Sequence, residues 1–309
     1  MKNLSKKTVL LIIALVVVVF STVSCTRYLI NKFIDDKRRD AGLTIKSVDI
    51  PDFKIVYAEG GTGDTIIMVH GFGGDKYNWL YLAKYFTPHY RVIIPDLPGF
   101  GDSSKPQDKN YSIMSQLERL NLFVKELNLT KFHIVGNSMG GNIAGNYAAD
   151  YPEKIKTLAL FDAAGVNAPT KSELILLLEK GINPLILKDV NKYDEFMAFV
   201  FVKPPQLPSF IKQYIAEQMV AVVPINEKIF NDILPDLTVL ESKLNKIIAP
   251  TLILWGDSDK LIHISSVPVF EKNIKNSKSV IIKECGHIPM IEKPVETASV
   301  YQDFLKGNN

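Results

Sequence analysis

The pentapeptide Gly-Asn-Ser-Met-Gly at residues 136–140 constrains the fold of this chain more than any other segment. It follows the strand-like run Phe132–Val135 and precedes a helix-like run that begins at Asn142. A serine between a strand and a helix predicts a tight turn that exposes its hydroxyl group and strains its backbone. Such a turn needs glycine two residues before and two residues after the serine, because strand and helix approach too closely for a Cβ. The pattern predicts that Ser138 is a nucleophile.

Strand-like and helix-like segments alternate along most of the chain. From Thr65 onward the strand-like segments are nearly continuous aliphatic runs, which are typical of strands buried on both faces. This alternation predicts an α/β protein with a mostly parallel, eight-stranded sheet and helices on both faces. The first two strands meet at Pro51-Asp52, and we expect them to form an antiparallel edge hairpin. The predicted strands are Ile45–Ile50, Phe53–Ala58, Thr65–His70, Arg91–Pro95, Phe132–Val135, Thr157–Phe161, Thr251–Trp255 and Ser279–Lys283.

Between about residues 166 and 239 the alternation stops, and apolar helical segments are separated by prolines. We interpret residues 166–239 as a helical cap inserted over the carboxyl ends of the strands, where open α/β sheets bind ligands. The alternative is that these helices belong to the core. In the first interpretation, residues 45–165 and 240–309 form the α/β core. The predicted helices are Trp79–Phe86, Ile113–Leu127, Asn142–Tyr151, Leu174–Leu178, Phe196–Val202, Phe210–Val223, Val267–Ile274 and Val295–Leu305.

Residues 1–25 have the features of a targeting segment. Basic residues precede the unbroken apolar run Val9–Phe20, and small residues then lead to Cys25. This order is similar to a bacterial lipoprotein signal, in which Cys25 is lipidated, although Thr22 stands where an aliphatic residue is usual. An uncleaved membrane anchor is the second interpretation, because the 19 uncharged residues 8–26 measure about 28 Å as a helix. A simple cleaved signal is the third.

Each of these interpretations predicts a membrane-associated protein of the cell envelope or a secreted one. Residues 26–44 are polar and of mixed charge, and we interpret them as a juxtamembrane stalk. The formal net charge is only +3, and no basic stripe is interleaved with aromatic residues, so we expect no nucleic-acid partner. Because no Cys/His cluster has metal-ligand spacing and no glycine-rich nucleotide loop is found, we expect no metal and no cofactor.

A serine hydroxyl needs a general base, and His287 is the best placed of the five histidines. It follows the last predicted strand, so its loop can reach Ser138. His133 lies at the opposite end of the strand that leads to Ser138, and we expect it to be structural. The base needs an acid to orient it, and Asp259 is the first choice because it lies past the turn that follows Trp255-Gly256.

Two other aspartates remain as alternatives for the acid. Asp257 follows the same strand but is expected to cap the turn, and Asp162 follows the strand Thr157–Phe161. The oxyanion of an acyl-transfer reaction also needs hydrogen-bond donors. The backbone N–H of Met139 is one candidate, and the N–H of Phe72, in the glycine-rich loop after the third strand, is the other.

Five motifs together make the chain resemble the α/β-hydrolase family over roughly residues 45–309. They are His-Gly-Phe-Gly-Gly at residues 70–74, Asp-Leu-Pro-Gly-Phe-Gly at 96–101, the segment at 136–141, Trp-Gly-Asp-Ser-Asp at 255–259 and Gly-His at 286–287. Within that family the chain is similar to membrane-anchored monoacylglycerol lipases of animals and to secreted lipases of cold-adapted bacteria such as Psychrobacter and Moraxella. The segment at 284–294 and the N-terminal apolar run support the closer likeness.

The resemblance implies a Ser-Asp-His triad of Ser138, Asp259 and His287 and a carboxylic-ester hydrolase without a cofactor. The apolar cap and the N-terminal segment favour lipid esters, with monoacylglycerol or short-to-medium triacylglycerol first. One alternative is a carbon–carbon hydrolase of meta-cleavage products, although that group usually has tryptophan where Ile288 stands. Another is a ligand-binding receptor on the same fold.

Overall fold

The structure is a computed structural model that describes residues 26–308. Its centre is an eight-stranded sheet with the strand order β1-β2-β4-β3-β5-β6-β7-β8. Strands β3, β5 and β7 are buried along their whole length, as their continuous aliphatic sequences predict. The strands are β1 (Leu43–Ile50), β2 (Phe53–Gly60), β3 (Thr65–Val69), β4 (Arg91–Pro95), β5 (Phe132–Asn137), β6 (Ile155–Phe161), β7 (Thr251–Gly256) and β8 (Ser277–Ile282).

Only the first two strands depart from a parallel arrangement. Strand β1 pairs antiparallel with β2, and β2 pairs antiparallel with β4. From β4 to β8 every neighbouring pair is parallel. The predicted edge hairpin and the mostly parallel sheet are therefore confirmed, and the carboxyl ends of β3 and β5–β8 meet at one edge.

Helices cover both faces of the sheet. Neighbouring strand residues such as Ile66 and Ile67 point to opposite faces, and they belong to two different hydrophobic clusters. Helices α3, α4 and α9 contribute to the first cluster, and α2, α10 and α11 to the second. The helices outside the β6–β7 segment are α1 (residues 26–40), α2 (Leu80–Ala83), α3 (Ile113–Glu126), α4 (Met139–Asp150), α9 (Val267–Asn273), α10 (Pro289–Glu292) and α11 (Pro294–Lys306).

Between β6 and β7 the chain forms four α-helices and no strand. They are α5 (Glu173–Leu178), α6 (Tyr193–Val200), α7 (Ser209–Ala221) and α8 (Val223–Ile233). Helix α7 covers the predicted helix Phe210–Val223 except for its last two residues, and the predicted break at Pro224 is present, since α8 begins at Val223 with Pro224 in its first turn. A proline has no N–H to donate and its ring clashes with the preceding turn, so it begins a new helix. The division into core and cap stays a prediction.

The N-terminal part of the described chain is helical. Helix α1 covers residues 26–40, and β1 begins at Leu43, so the segment predicted as a stalk includes this helix and the first residues of the sheet. Within residues 26–308, no helix is long and apolar enough to cross a bilayer. The apolar run Val9–Phe20 and the predicted lipidation site Cys25 lie outside the described residues.

Candidate active site

Ser138 lies in a strained turn between β5 and α4. Its backbone has φ 57° and ψ −122°, in a region that residues with a side chain rarely adopt, and its side chain is half-buried. A Cβ on Gly136 would lie 2.1 Å from the carbonyl oxygen of Gly140, and a Cβ on Gly140 would lie 2.3 Å from that of Val69. The glycines therefore allow the close approach of strand and helix that presents the serine.

Hydrogen bonds hold this turn to the neighbouring loops. The N–H of Ser138 donates to the carbonyl of Phe161, at the end of β6, and the N–H of Ala164 donates to the carbonyl of Ser138, both at 3.0 Å. The Asn137 side-chain amide donates to Phe161 O at 3.1 Å and to His287 O at 3.0 Å. Asn137 was not predicted as a site residue, since no local pattern shows that its amide reaches a loop 150 residues away.

The structure brings His287 and Asp259 into direct contact. The Nδ1 of His287 lies 2.8 Å from Oδ2 of Asp259, and both side chains are buried. The other carboxylate oxygen, Oδ1, accepts the N–H groups of Leu261 at 2.8 Å and Ile262 at 3.1 Å. An ionised carboxylate can only accept, so Nδ1 carries the proton and Nε2 is left with a lone pair.

The two alternative acids lie in different surroundings. Asp257 accepts a hydrogen bond from the Ser258 hydroxyl at 2.9 Å and lies 3.7 Å from Lys283, so its place is in the turn, as predicted. Asp162 is fully buried. One carboxylate oxygen of Asp162, one of Asp259 and one ring nitrogen of His287 all lie within 4.8 Å of one another. Among residues 26–308, these three side chains are the one cluster of potential ligands that is compact enough to hold a metal ion. Two of its ligand atoms, His287 Nδ1 and Asp259 Oδ2, are already in contact with each other.

The other buried histidines hold backbone segments in place. His70 accepts the N–H of Leu97 at Nε2, so its Nδ1 donates to the carbonyl of Gly71, and burial lowers its pKa. His133 lies beside Thr157 on β6, with its Nδ1 2.8 Å from the threonine hydroxyl. Burial, followed by the charge of Lys156, lowers the pKa of His133 to about 4. Neither ring belongs to the group at Ser138.

The loop that carries His287 is hydrogen-bonded to the last residue of α6 and, through Glu292, to the segment that follows it. The N–H of His287 donates to the carbonyl of Val200 at 2.9 Å. Glu292 accepts the N–H of Gly286 at 2.7 Å with one carboxylate oxygen and the N–H of Lys203 at 2.5 Å with the other. Glu292 therefore joins the histidine loop to the chain between β6 and β7, a role that the sequence alone does not indicate.

The glycine-rich loop after β3 lies against the nucleophile. A Cβ on Gly71 would be 3.1 Å from the Cβ of Ser138, so Gly71 lies against the serine. Phe72 is the next residue in the chain. Met139 is the first residue of α4, where backbone N–H groups have no carbonyl partner within the helix. The Phe72 ring makes edge-on contacts with Phe100 at 5.9 Å and with Phe230 of α8 at 5.4 Å between centroids. An aromatic cluster therefore borders the predicted oxyanion loop.

A buried ion pair anchors the segment that directly follows this loop. Lys76 is fully buried, and its Nζ lies 2.7 Å from Asp96 Oδ2 and 2.6 Å from Asp102 Oδ2. Its backbone N–H also donates to Asp96 Oδ1 at 2.7 Å. Burial lowers the pKa of Lys76, but the charges and hydrogen bonds of Asp96 and Asp102 outweigh it and raise the pKa. Asp96 thus has a structural role as the buried partner of Lys76.

Comparisons with known proteins agree with this geometry. Residues 64–200 and 202–294 match the family described as alpha/beta hydrolase fold. Lipase 1 of Psychrobacter immobilis is 37% identical to the chain over 285 residues, which are 89% of this chain and 88% of that protein. The monoacylglycerol lipase abhd6-B of Xenopus laevis is 30% identical over 284 residues, 87% of this chain and 84% of that protein.

A solved structure of high similarity covers almost the whole chain. The crystal structure of a membrane phospholipase A, described as a bacterial virulence factor, is 43% identical, with a TM-score of 0.91. The match covers 97% of this chain and 98% of that one. Meta-cleavage product hydrolases match at 24% identity and a TM-score of 0.72, a likeness that extends to the fold alone.

Proposed function

Because the chain belongs to the α/β-hydrolase family, we propose that it is a serine hydrolase that cleaves carboxylic esters of lipids through an acyl-enzyme on Ser138. The observation that carries the proposal is the contact between His287 Nδ1 and Asp259 Oδ2, in a loop that Asn137 ties to the strained turn of Ser138. A histidine oriented in this way leaves Nε2 free to take a proton from a serine hydroxyl.

The reaction begins when Ser138 Oγ attacks the carbonyl carbon of the ester. His287 Nε2 takes the hydroxyl proton as the oxygen–carbon bond forms, and the carboxylate of Asp259 stabilises the imidazolium. The tetrahedral intermediate then collapses as the carbon–oxygen bond to the leaving alcohol breaks. His287 donates its proton to that alcohol, and the acyl group stays on Ser138.

A water molecule then repeats the sequence. His287 takes a proton from the water as it attacks the acyl carbonyl, and returns it to Ser138 Oγ when the fatty acid leaves. In both halves the developing oxyanion accepts hydrogen bonds from the N–H groups of Met139 and Phe72. Each such donor contributes about 10²–10³ to the rate in enzymes of this type.

The names of the relatives and the apolar surface of the chain support lipid esters as substrates. The relatives are named as a lipase, a monoacylglycerol lipase and a membrane phospholipase A. The segment between β6 and β7 exposes Leu176, Ile182 and Phe210 at 46%, 52% and 50%, which fits contact with an apolar phase. Monoacylglycerol and short-to-medium triacylglycerol are the first substrates to test.

Membrane association is part of the same proposal. Helix α1 exposes Tyr28, Leu29 and Phe33 among charged residues, a pattern typical of the lipid–water interface. The apolar run that precedes it in the sequence would bring this helix to a bilayer. Whether Cys25 is lipidated can be read from the mass of the mature N-terminus.

Replacement of Ser138 tests the proposal. Ser138→Ala should abolish ester hydrolysis and labelling by a fluorophosphonate, because both need the activated oxygen. Ser242→Ala, which removes an exposed hydroxyl bonded to the carbonyl of Val239, is the matched control and should keep both. Hydrolysis by the Ser138→Ala protein at the wild-type rate would refute the mechanism. A series of acyl-chain lengths on glycerol esters then defines the substrate.

A further inference from the structure

A second buried carboxyl group lies beside the Asp259–His287 pair. Asp162 follows β6 with a strained φ of 45°, and its side chain has no exposure to solvent. Its Oδ1 accepts the N–H of Gly256 at 2.9 Å. Its Oδ2 is also buried but accepts no hydrogen bond from any group in residues 26–308. A buried carboxylate oxygen without a donor is costly, so this oxygen needs another explanation.

Asp259 supplies that explanation. One carboxylate oxygen of Asp162 lies within 4.8 Å of one of Asp259, and both side chains are buried. Two carboxylates in contact inside a protein cannot both stay ionised, and such pairs share one proton. A proton between them turns two facing acceptors into a donor and an acceptor, and it satisfies the otherwise unpartnered Oδ2.

The hydrogen-bond donors around the pair decide which group holds the proton. Asp259 receives three N–H donors, from His287, Leu261 and Ile262, which stabilise its anion. Asp162 receives one, from Gly256. We propose that Asp162 is a neutral positioning residue whose protonated Oδ2 donates a hydrogen bond to the carboxylate of Asp259.

The other titratable groups near Asp162 support the neutral form. Burial, then the charge of Asp259, raises the pKa of Asp162 well above its ordinary value, and Glu292 adds a smaller effect in the same direction. The nearby thiol of Cys285 is buried, which raises its own pKa and keeps it uncharged. The imidazole of His287, which is cationic when protonated, hydrogen-bonds to Asp259.

A neutral Asp162 has a clear use in catalysis, and this part of the inference rests on the proposed triad. A second negative charge beside His287 would stabilise the imidazolium in every step. The imidazolium would then release its proton less readily to the leaving alcohol, which needs that proton. A carboxylic acid instead orients Asp259 without adding charge. In this series of hydrogen bonds from Asp162 through Asp259 to His287, the imidazolium is stabilised by one carboxylate only, that of Asp259.

Two substitutions separate this role from a structural one. Asp162→Ala removes the donor and should lower kcat about 10-fold or more with KM little changed, since hydrogen bonds to charged groups are strong. Asp162→Asn keeps both a donor and an acceptor and should restore most of that kcat with an unchanged pH profile. Rates are divided by the concentration of sites that a fluorophosphonate labels, and melting is followed in parallel.

Three outcomes would overturn the proposal. A lower melting temperature for Asp162→Ala with normal kcat per labelled site would make the residue merely structural. A downward shift of the acid limb of kcat/KM in Asp162→Asn would mean that Asp162 is charged, because removal of a negative charge lowers the pKa of a histidine. No rescue of kcat by Asp162→Asn would mean that hydrogen-bond donation by the residue at 162 does not maintain kcat.

Infrared spectroscopy tests the proton without any assay of activity. The Ser138→Ala protein at pH 8 should show the carbonyl band of a protonated carboxyl group, and the Ser138→Ala/Asp162→Asn protein should lack it. Absence of the band from the first protein refutes a neutral Asp162. Ester hydrolysis by Ser138→Ala at the wild-type rate would refute the proposed function instead, and the two failures are therefore distinguishable.

Discussion

The side-chain amide of Asn137 donates a hydrogen bond to the backbone carbonyl of His287 at 3.0 Å. The residue before the proposed nucleophile therefore holds the loop that carries the proposed base. The same amide also donates to the carbonyl of Phe161 at the end of β6. One side chain at the end of β5 therefore connects this strand to the end of β6 and to the loop after β8.

Replacement of Asn137 by leucine should lower kcat/KM about 10-fold, because it leaves buried carbonyl groups without a donor and loosens the histidine loop. Ester hydrolysis and thermal melting measure the two effects separately. Asn273→Leu is the matched control, since Asn273 also donates to a backbone carbonyl, that of Val269, but on α9. Equal losses of activity in both variants would contradict a specific role for Asn137.

Gly140→Ala should destabilise the protein by about 3 kcal/mol or more, because the new Cβ would meet backbone atoms that cannot move aside. The carbonyl oxygens of Val69 and His70 would lie 2.3 and 2.5 Å away. Gly307→Ala is the control, since its Cβ would have ordinary contacts and should change stability by less than about 0.5 kcal/mol. Denaturant unfolding measures both, and a tolerated Gly140→Ala would contradict the geometry of the turn.

Lys76→Met should cost about 3–5 kcal/mol in the free energy of unfolding, because it leaves the buried carboxylate of Asp96 without its partner. Activity per folded molecule should fall as well, since the glycine-rich loop loses its support. Lys192→Met removes an exposed ion pair with Glu195 and should leave the unfolding midpoint unchanged. A Lys76→Met protein as stable as the wild type would show that the buried pair has no such structural role.

The pH dependence of stability should show the effect of His133. Its pKa is about 4 in the folded protein against an ordinary value of 6.5. Between those values the unfolded chain binds a proton that the folded protein does not, so stability rises with pH and is lost as the pH falls from 6.5 towards 4. The effect is at most about 3.5 kcal/mol, since one pKa unit corresponds to about 1.4 kcal/mol.

Denaturant unfolding at several pH values checks this effect. His133→Asn should reduce the dependence of the unfolding free energy on pH between about 4 and 6.5. His89→Asn, a change at an exposed histidine, should leave the wild-type slope. A slope that survives in His133→Asn would have to come from other groups.

The parts of the fold that were predictable from the sequence are those with a strong local signal. Strand β4 has the predicted bounds Arg91–Pro95, because a short aliphatic run between turn residues is clear when it is buried on both faces. The choice of Asp259 over Asp257 as the partner of His287 also followed from local order, since Asp259 lies past the turn that follows Trp255-Gly256 and Asp257 lies within it. The structure places Asp259, not Asp257, beside His287.

The remaining features depend on contacts between distant loops. The Asn137 amide, the Glu292 carboxylate and the shared proton of Asp162 each involve partners many residues away, whose distances are set by the register of the strands. The break between α7 and α8 was predictable, by contrast, because Pro224 is a local signal that a helix cannot continue through it.

The bonds from Val200 and Lys203 to the histidine loop set a boundary for protein engineering. A chimaera that exchanges the helices between β6 and β7 to alter substrate range would also cut the main-chain support of His287. A chimaera should therefore keep the residues 200–203 of the protein that supplies the sheet. Otherwise it should take these residues together with Gly286 and Glu292 from the protein that supplies the helices. The helical segment that looks exchangeable is therefore hydrogen-bonded to the loop that carries the proposed base.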